Sequence, residues 1–304
     1  MNTFLVLVVA MALDGALGEP KWLWDRLPHP AVLMGRAVGY LNKTLNNGSL
    51  QWAKGVLTLI VLVAGAWLIG TILAQFGWVV EVVVAAILLA QKSLAQHVTA
   101  VADALRISVQ DGRMAVAQIV GRDTSDMDGP AVSRAAIESA AENFSDGIIA
   151  PAFWFLLGGL PGILIYKVTN TADSMIGYRT PKHKEFGWAA ARFDDVLNLV
   201  PARLTAAGIA ALYGHLAQFS DISESALHHR SPNAGWPEAA MAQVLGVALS
   251  GPRSYDGEMR DFPYVNSEGK HDVGPDDIDG SVSVLWRVWV AVLILCTLAG
   301  VVIA

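Results

Sequence analysis

Residues 55–90 contain no Lys or Arg, and Glu81 is their only formal charge. About 20 apolar residues of helix span a bilayer core. The stretch therefore suits a tight helical hairpin turned at Gln75-Phe76-Gly77. Composition agrees. The 304-residue chain is 54% hydrophobic and 16% charged, whereas soluble domains carry about 25% charged residues. We read one domain over residues 1–304: an all-α, polytopic helical integral membrane protein with broken or re-entrant segments and polar cytoplasmic loops.

Further apolar runs lie at 4–13, 148–165, 199–219 and 284–304. No Lys or Arg precedes the first, so it reads as a transmembrane helix with its N-terminus outside, not as a signal peptide. Pro151, Gly158, Gly159, Pro161 and Gly162 interrupt the second. Stretches 14–54, 91–147 and 166–203 carry five, five and six Lys/Arg, the mark of a cytoplasmic side. Simple counting of spans puts 166–203 outside. A re-entrant 148–165, or a pair of broken helices, resolves the conflict. Residues 91–133 show amphipathic helical spacing, and 220–283, rich in Pro, Gly and Asp, reads as mostly loop.

Three polar clusters punctuate these runs. Arg134, Glu138, Glu142 and Asp146 recur at i+4, which places them on one helix face. Like charges at that spacing repel by a few tenths of a kcal/mol per pair, so a cation between them is expected. The second cluster holds Lys167, Asn170 and Asp173; the third holds Arg192, Asp194, Asp195, Asn198 and Arg203. Acids and amides of this kind are hard oxygen donors suited to Mg²⁺. Arginines among them suit bidentate phosphate contacts.

Other chemistries are disfavoured. The single cysteine, Cys296, excludes a disulfide framework, and a net charge of −6 argues against nucleic acid as a partner. No GxxxxGK[ST] or GxGxxG cradle appears, and no HExxH. His29 lies between two prolines, which fix its backbone. A second group, His228-His229-Arg230-Ser231-Pro232-Asn233, lies far along the chain.

Taken together, the motifs resemble a known family. They are Glu138-Ser139-x-Ala141-Glu142-Asn143-x-x-Asp146-Gly147, Tyr166-Lys167-x-x-Asn170-Thr171-x-Asp173-Ser174, Ala190-Ala191-Arg192-x-Asp194-Asp195-x-x-Asn198-x-x-Pro201-Ala202-Arg203, His29-Pro30-x-x-x-Met34-Gly35 and Arg230-x-x-Asn233-Ala234-Gly235. The chain is similar to the CbiB/CobD family of cobalamin biosynthesis, the adenosylcobinamide-phosphate synthases. Glu19 and Ala172 depart from the usual pattern, and neither touches a group assigned here to chemistry.

The resemblance implies an integral membrane ligase of the cell inner (cytoplasmic) membrane that depends on ATP and Mg²⁺. It would join the corrinoid adenosylcobyric acid to an amino-alcohol phosphate, (R)-1-aminopropan-2-ol O-phosphate or ethanolamine phosphate, through an amide. Besides membrane lipid, a homo-oligomer or association with other late cobalamin-pathway enzymes fits this reading.

Residue roles are assigned from this sequence. Glu138, Glu142, Asp146, Asp173 and Asp194 are metal candidates. Asp194, Asp195, Glu142 and Asn143 are catalytic candidates, with Asp195 as base. Arg122, Arg134, Lys167, Asn170, Arg192, Asn198, Arg203, His29, Arg230 and Asn233 are substrate and phosphate candidates. Trp22, Trp24 and Trp236 are candidates for packing on the macrocycle. The rival readings are a membrane prenyl- or phosphoalcohol transferase, and a regulator or transporter on the same fold.

Overall fold

The computed structural model describes residues 1–255 and 258–303. In chain order the first helices are α1 (Thr3–Leu17), α2 (Lys21–Trp24), α3 (Pro30–Leu45), α4 (Gln51–Ala74) and α5 (Trp78–Leu88). Then come α6 (Gln91–Ile107), α7 (Val109–Val116), α8 (Gly129–Phe144), a π turn at Ser145–Ile149, and α9 (Ala150–Ile176). The chain continues through α10 (Trp188–Leu212), α11 (Phe219–Leu227) and α12 (Gly235–Leu245). Strands β1 (Leu249–Ser250), β2 (Arg253–Tyr255), β3 (Glu258–Arg260) and β4 (Tyr264–Val265) precede α13 (Pro275–Ile303).

Among the described residues, five helical runs are long and apolar enough to cross a bilayer: Gln51–Ala74, Trp78–Ile107, Gly129–Ile176, Trp188–Leu212 and Pro275–Ile303. The protein is a polytopic helical membrane protein. The run at 4–13 does form a helix, but the 15 residues of α1 reach only about 22 Å, short of a core about 30 Å thick.

Two compact units divide the chain. The first contains Met1–Ala90, Asp146–Leu199 and Leu293–Ala304; the second contains Gln91–Ser145 and Val200–Val292.

In the first unit, residues 55–90 form the hairpin that their composition predicts, as α4 and α5. Gly77, at φ 85°, starts the second arm. The buried stripe of α4 is Gly55, Thr58, Leu62, Ala66 and Gly70, and all but Leu62 are small residues that admit a neighbouring backbone. A Cβ on Gly70 would sit 2.6 Å from the Pro161 backbone.

Pro161 begins the second arm of a fold-back within α9. Gly159 has φ 58° and ψ −148°, a conformation essentially reserved for glycine. The chain reverses there: a Cβ on Gly162 would collide with the Trp154 carbonyl oxygen. An unbroken helix would hold those residues about 12 Å apart. The arm 150–158 rises only about 14 Å. Residues 148–165 are thus broken at Gly159 and fold back beside their own start. The Tyr166 hydroxyl comes back to within 3.1 Å of the Asp146 carbonyl.

The second unit is built around α8, whose small residues Ala135, Ala136, Ala140 and Ala141 are buried with Ile137 and Phe144. Asp128 caps this helix by accepting from Ala131 N at 2.8 Å, with Pro130 in the first turn. Helices α6, α7 and α12 pack on α8. Stretch 220–283 departs from the expected loop. It contains α11, the buried α12, two antiparallel strand pairs (β1 with β4, β2 with β3) and the start of α13. The Ala239–Ala242 run explains α12, because small apolar side chains let it sink fully into the unit. Pro237 lies near the helix start, where its missing N–H costs nothing. Helix α10 begins at Trp188, earlier than the span expected at 199–219, and accommodates Pro201 internally.

Candidate functional site

The fold-back sets an acid–amide network in the first unit. The π turn supplies Asp146, the returning arm of α9 supplies Tyr166 and Asn170, and α10 supplies Asp194 and Asn198. Asn170 Nδ2 lies 3.3 Å from both Asp146 Oδ2 and Asp194 Oδ1, so one amide donates to two carboxylates. Asn198 Nδ2 donates to Asp194 Oδ2 at 3.0 Å, and its Oδ1 accepts from the Tyr166 hydroxyl at 3.0 Å. Tyr166, Asn198 and Asp194 are all buried. A buried acid–amide network satisfied in this way is rigid.

Further charges surround it. Asp173 and Asp195 lie within electrostatic range of Asp194, and Arg192 Nη1 pairs with Asp195 Oδ2 at 3.2 Å. Lys167 feels both Asp146 and Glu19. Glu19 and Lys167 also act on His29, whose Nδ1 accepts from Ala31 N at 3.2 Å to cap α3. Burial holds His29 below the usual imidazole range; the Glu19 carboxylate opposes that shift and Lys167 adds to it. Trp24 stacks edge-on to His29 at 4.5 Å, whereas Trp22 is exposed.

Among the described residues, no three or more His, Cys, Asp or Glu side chains gather into a cation cage. Mg²⁺ does not require one, since it takes one or two carboxylates and completes its shell with phosphates and water. Asp146 and Asp194, brought to one amide with Asp173 nearby, fit that demand.

The second unit centres on an ion pair. Arg122 Nη2 lies 3.0 Å from Glu138 Oε2, with side chains 10% and 7% exposed. The other Glu138 oxygen accepts from Ser250 N at 2.7 Å. Glu138, expected as a metal ligand, is placed as an arginine partner and a backbone acceptor.

Two clefts share Arg122. One, of about 250 Å³, is lined by Arg122, Arg134, Asp126 and Tyr264 among others; the second, of about 290 Å³, includes Glu138, Glu142, Asn143, His229 and Glu238. Arg134 Nη1 donates to the His271 carbonyl at 3.1 Å. Asn143 Nδ2 donates to the Ser139 carbonyl at 2.9 Å. Elsewhere in this unit Arg203 donates to Asn233 Oδ1 at 3.3 Å and lies 4.5 Å over the ring of buried Trp236. Arg230 lies 4.2 Å over Phe262.

A family model described as CobD/Cbib protein matches residues 7–285. The chain belongs to the CobD/Cbib family. It is 49% identical over 302 residues to the cobalamin biosynthesis protein CobD of Rhizobium meliloti, covering 93% of this chain and 92% of the relative. The CobD of Brucella suis is 48% identical over 93% of this chain and 92% of that protein. That of Rhodobacter capsulatus is 42% identical over 99% and 98%. No solved structure matches. Membership in the CobD/Cbib family supports a role for this chain in cobalamin biosynthesis.

The candidate residues divide between the two units. Asp146, Lys167, Asn170, Asp173, Arg192, Asp194, Asp195 and Asn198 gather with His29 in the first. Arg122, Arg134, Glu138, Glu142, Asn143, Arg203, Arg230 and Asn233 lie in the second. Sequence reasoning missed Tyr166, Glu238, Tyr264 and Ser250. It also set Glu19 aside, although Glu19 bears on both His29 and Lys167. Tyr166 opens a CobD/Cbib motif, and that position was the available signal.

Proposed function

We propose that the protein is an ATP- and Mg²⁺-dependent ligase. It would join a propionate carboxylate of adenosylcobyric acid to the amine of (R)-1-aminopropan-2-ol O-phosphate or ethanolamine phosphate, yielding adenosylcobinamide phosphate or its ethanolamine counterpart. Within the family's role, the observation that carries this reading is the Asn170 amide joined to both Asp146 and Asp194. It is a rigid pair of hard donors in a chain otherwise short of charge.

A free carboxylate is a poor acylating group. Mg²⁺ and ATP, when bound, supply the phosphoryl group that activates it and the neutralisation of phosphate charge. Asp146 and Asp194 would hold the cation, with Asp173 beside them. Lys167 and Arg192, in the same unit, would meet the phosphate oxygens of ATP. Neither common Gly-rich cradle occurs, so these side chains take that work. Loss of a proton to a carboxylate turns the ammonium into the attacking amine. The basic stretches 14–54, 91–147 and 166–203 face the cytoplasm, where ATP is available.

The test is turnover by purified, detergent-solubilised protein supplied with adenosylcobyric acid, the amino-alcohol phosphate, ATP and Mg²⁺. The expected product is heavier than the corrinoid by the amino-alcohol phosphate less water, and forms only with ATP and Mg²⁺. Absence of that mass with folded protein and verified substrates would return the chain to a regulatory or transport role.

A further inference from the structure

The cleft of about 250 Å³ has a lining of both signs, with Arg122 and Arg134 beside Asp123, Asp126 and Asp128. Two of the acids are engaged. Asp123 accepts from Ser125 N at 2.9 Å, which keeps its carboxyl below the usual range, and Asp128 caps α8. Asp126 has no hydrogen-bond or ion-pair partner among the described residues.

Arg122 is nine-tenths buried and held by Glu138, yet its Nε has no protein partner. Arg134 uses one nitrogen on the His271 carbonyl and lies 6.0 Å over the Tyr264 ring. Two guanidinium groups with unused donors favour a phosphate. A bare phosphate would be repelled by Asp126. A ligand that also carries an ammonium satisfies both.

We propose that this cleft binds a small zwitterion with a phosphate at one end and an ammonium at the other. It is the amino-alcohol phosphate of the ligase reading, on which this inference rests. Arg122 and Arg134 take the phosphate, Asp126 takes the ammonium, and Tyr264 with Pro252 flanks the short carbon chain. Size agrees, since pockets for drug-sized ligands run from about 300 to 1,000 Å³, and this cleft is smaller than a corrinoid needs. Glu138 is then a positioning residue that sets the guanidinium of Arg122.

Calorimetric binding to the full chain in detergent tests this without turnover. The probes are 1-aminopropan-2-ol O-phosphate and propyl phosphate, which lacks the amine. The unsubstituted chain should prefer the amino compound by about tenfold or more, the scale of one charged hydrogen bond. Asp126→Asn should erase that preference and strengthen propyl phosphate binding, and Arg134→Gln should weaken both. A preference that survives Asp126→Asn, in protein that still turns over, overturns the subsite and leaves the ligase standing. Loss of both binding and turnover in the folded unsubstituted chain overturns both. Competitive displacement of the amino compound by ATP would also overturn the assignment.

Discussion

Arg122 Nη2 lies 3.0 Å from Glu138 Oε2, and both side chains are almost wholly withdrawn from solvent. Removing one partner of a buried pair leaves an uncompensated charge, at a cost of about 3–5 kcal/mol. Glu138→Ala should therefore unfold markedly earlier in a detergent melt. Glu138→Gln keeps the shape and serves as the sharper probe. Its turnover should fall while the Mg²⁺ concentration for half-maximal rate stays put. A rise in that concentration would return Glu138 to the metal.

Asn170 donates to Asp146 and Asp194 together. Replacing it with Leu removes the shared donor and leaves two carboxylates facing each other. We expect a loss of about 1–3 kcal/mol, read as a lowered melting temperature, and partial recovery as Mg²⁺ is added. Mg²⁺ should also raise the melting temperature of the unsubstituted chain. If it does so equally after Asp146→Asn and Asp194→Asn, these residues do not hold it.

Gly159 sits at φ 58°, ψ −148°, where any Cβ is strained by about 1–3 kcal/mol. Gly159→Ala should lower the melting temperature. Gly162→Ala should do so more strongly, because its methyl meets the Trp154 carbonyl. Near-neutral melts for both would mean that the chain does not reverse there.

His29 carries a pH signature. Burial lowers its folded value below the ordinary 6.5, so the folded chain binds fewer protons at this site than the unfolded one. Stability from neutral His29 is complete above that ordinary value and declines as pH falls through it towards the folded value. Melting temperatures between pH 7 and 5 should fall more steeply in the unsubstituted chain than in His29→Gln. Parallel slopes would remove His29 from the explanation.

Much of the fold was legible because apolar runs are a strong signal. The 55–90 hairpin and the break in 148–165 follow from missing charge and from the Pro/Gly cluster. What stayed hidden depends on register and distance. The i+4 series from Arg134 predicts Asp146 on the same stripe, but the π turn at Ser145–Ile149 shifts the register, and Asp146 joins Asn170 instead. Arg122 and Glu138 are 16 residues apart across a loop, a separation to which no periodicity speaks. Helix α12 was concealed by the Pro- and Gly-rich composition around it. Glu19 looked idle because its neighbours, His29 and Lys167, are close only in space.

The reversal at Gly159 turns residues 148–165, which carry no ionisable side chain, into an apolar hairpin with its polar groups at the base. Asp146 stands before the hairpin and Tyr166 and Asn170 after it, so the backbone of one glycine decides where these acid and amide groups meet.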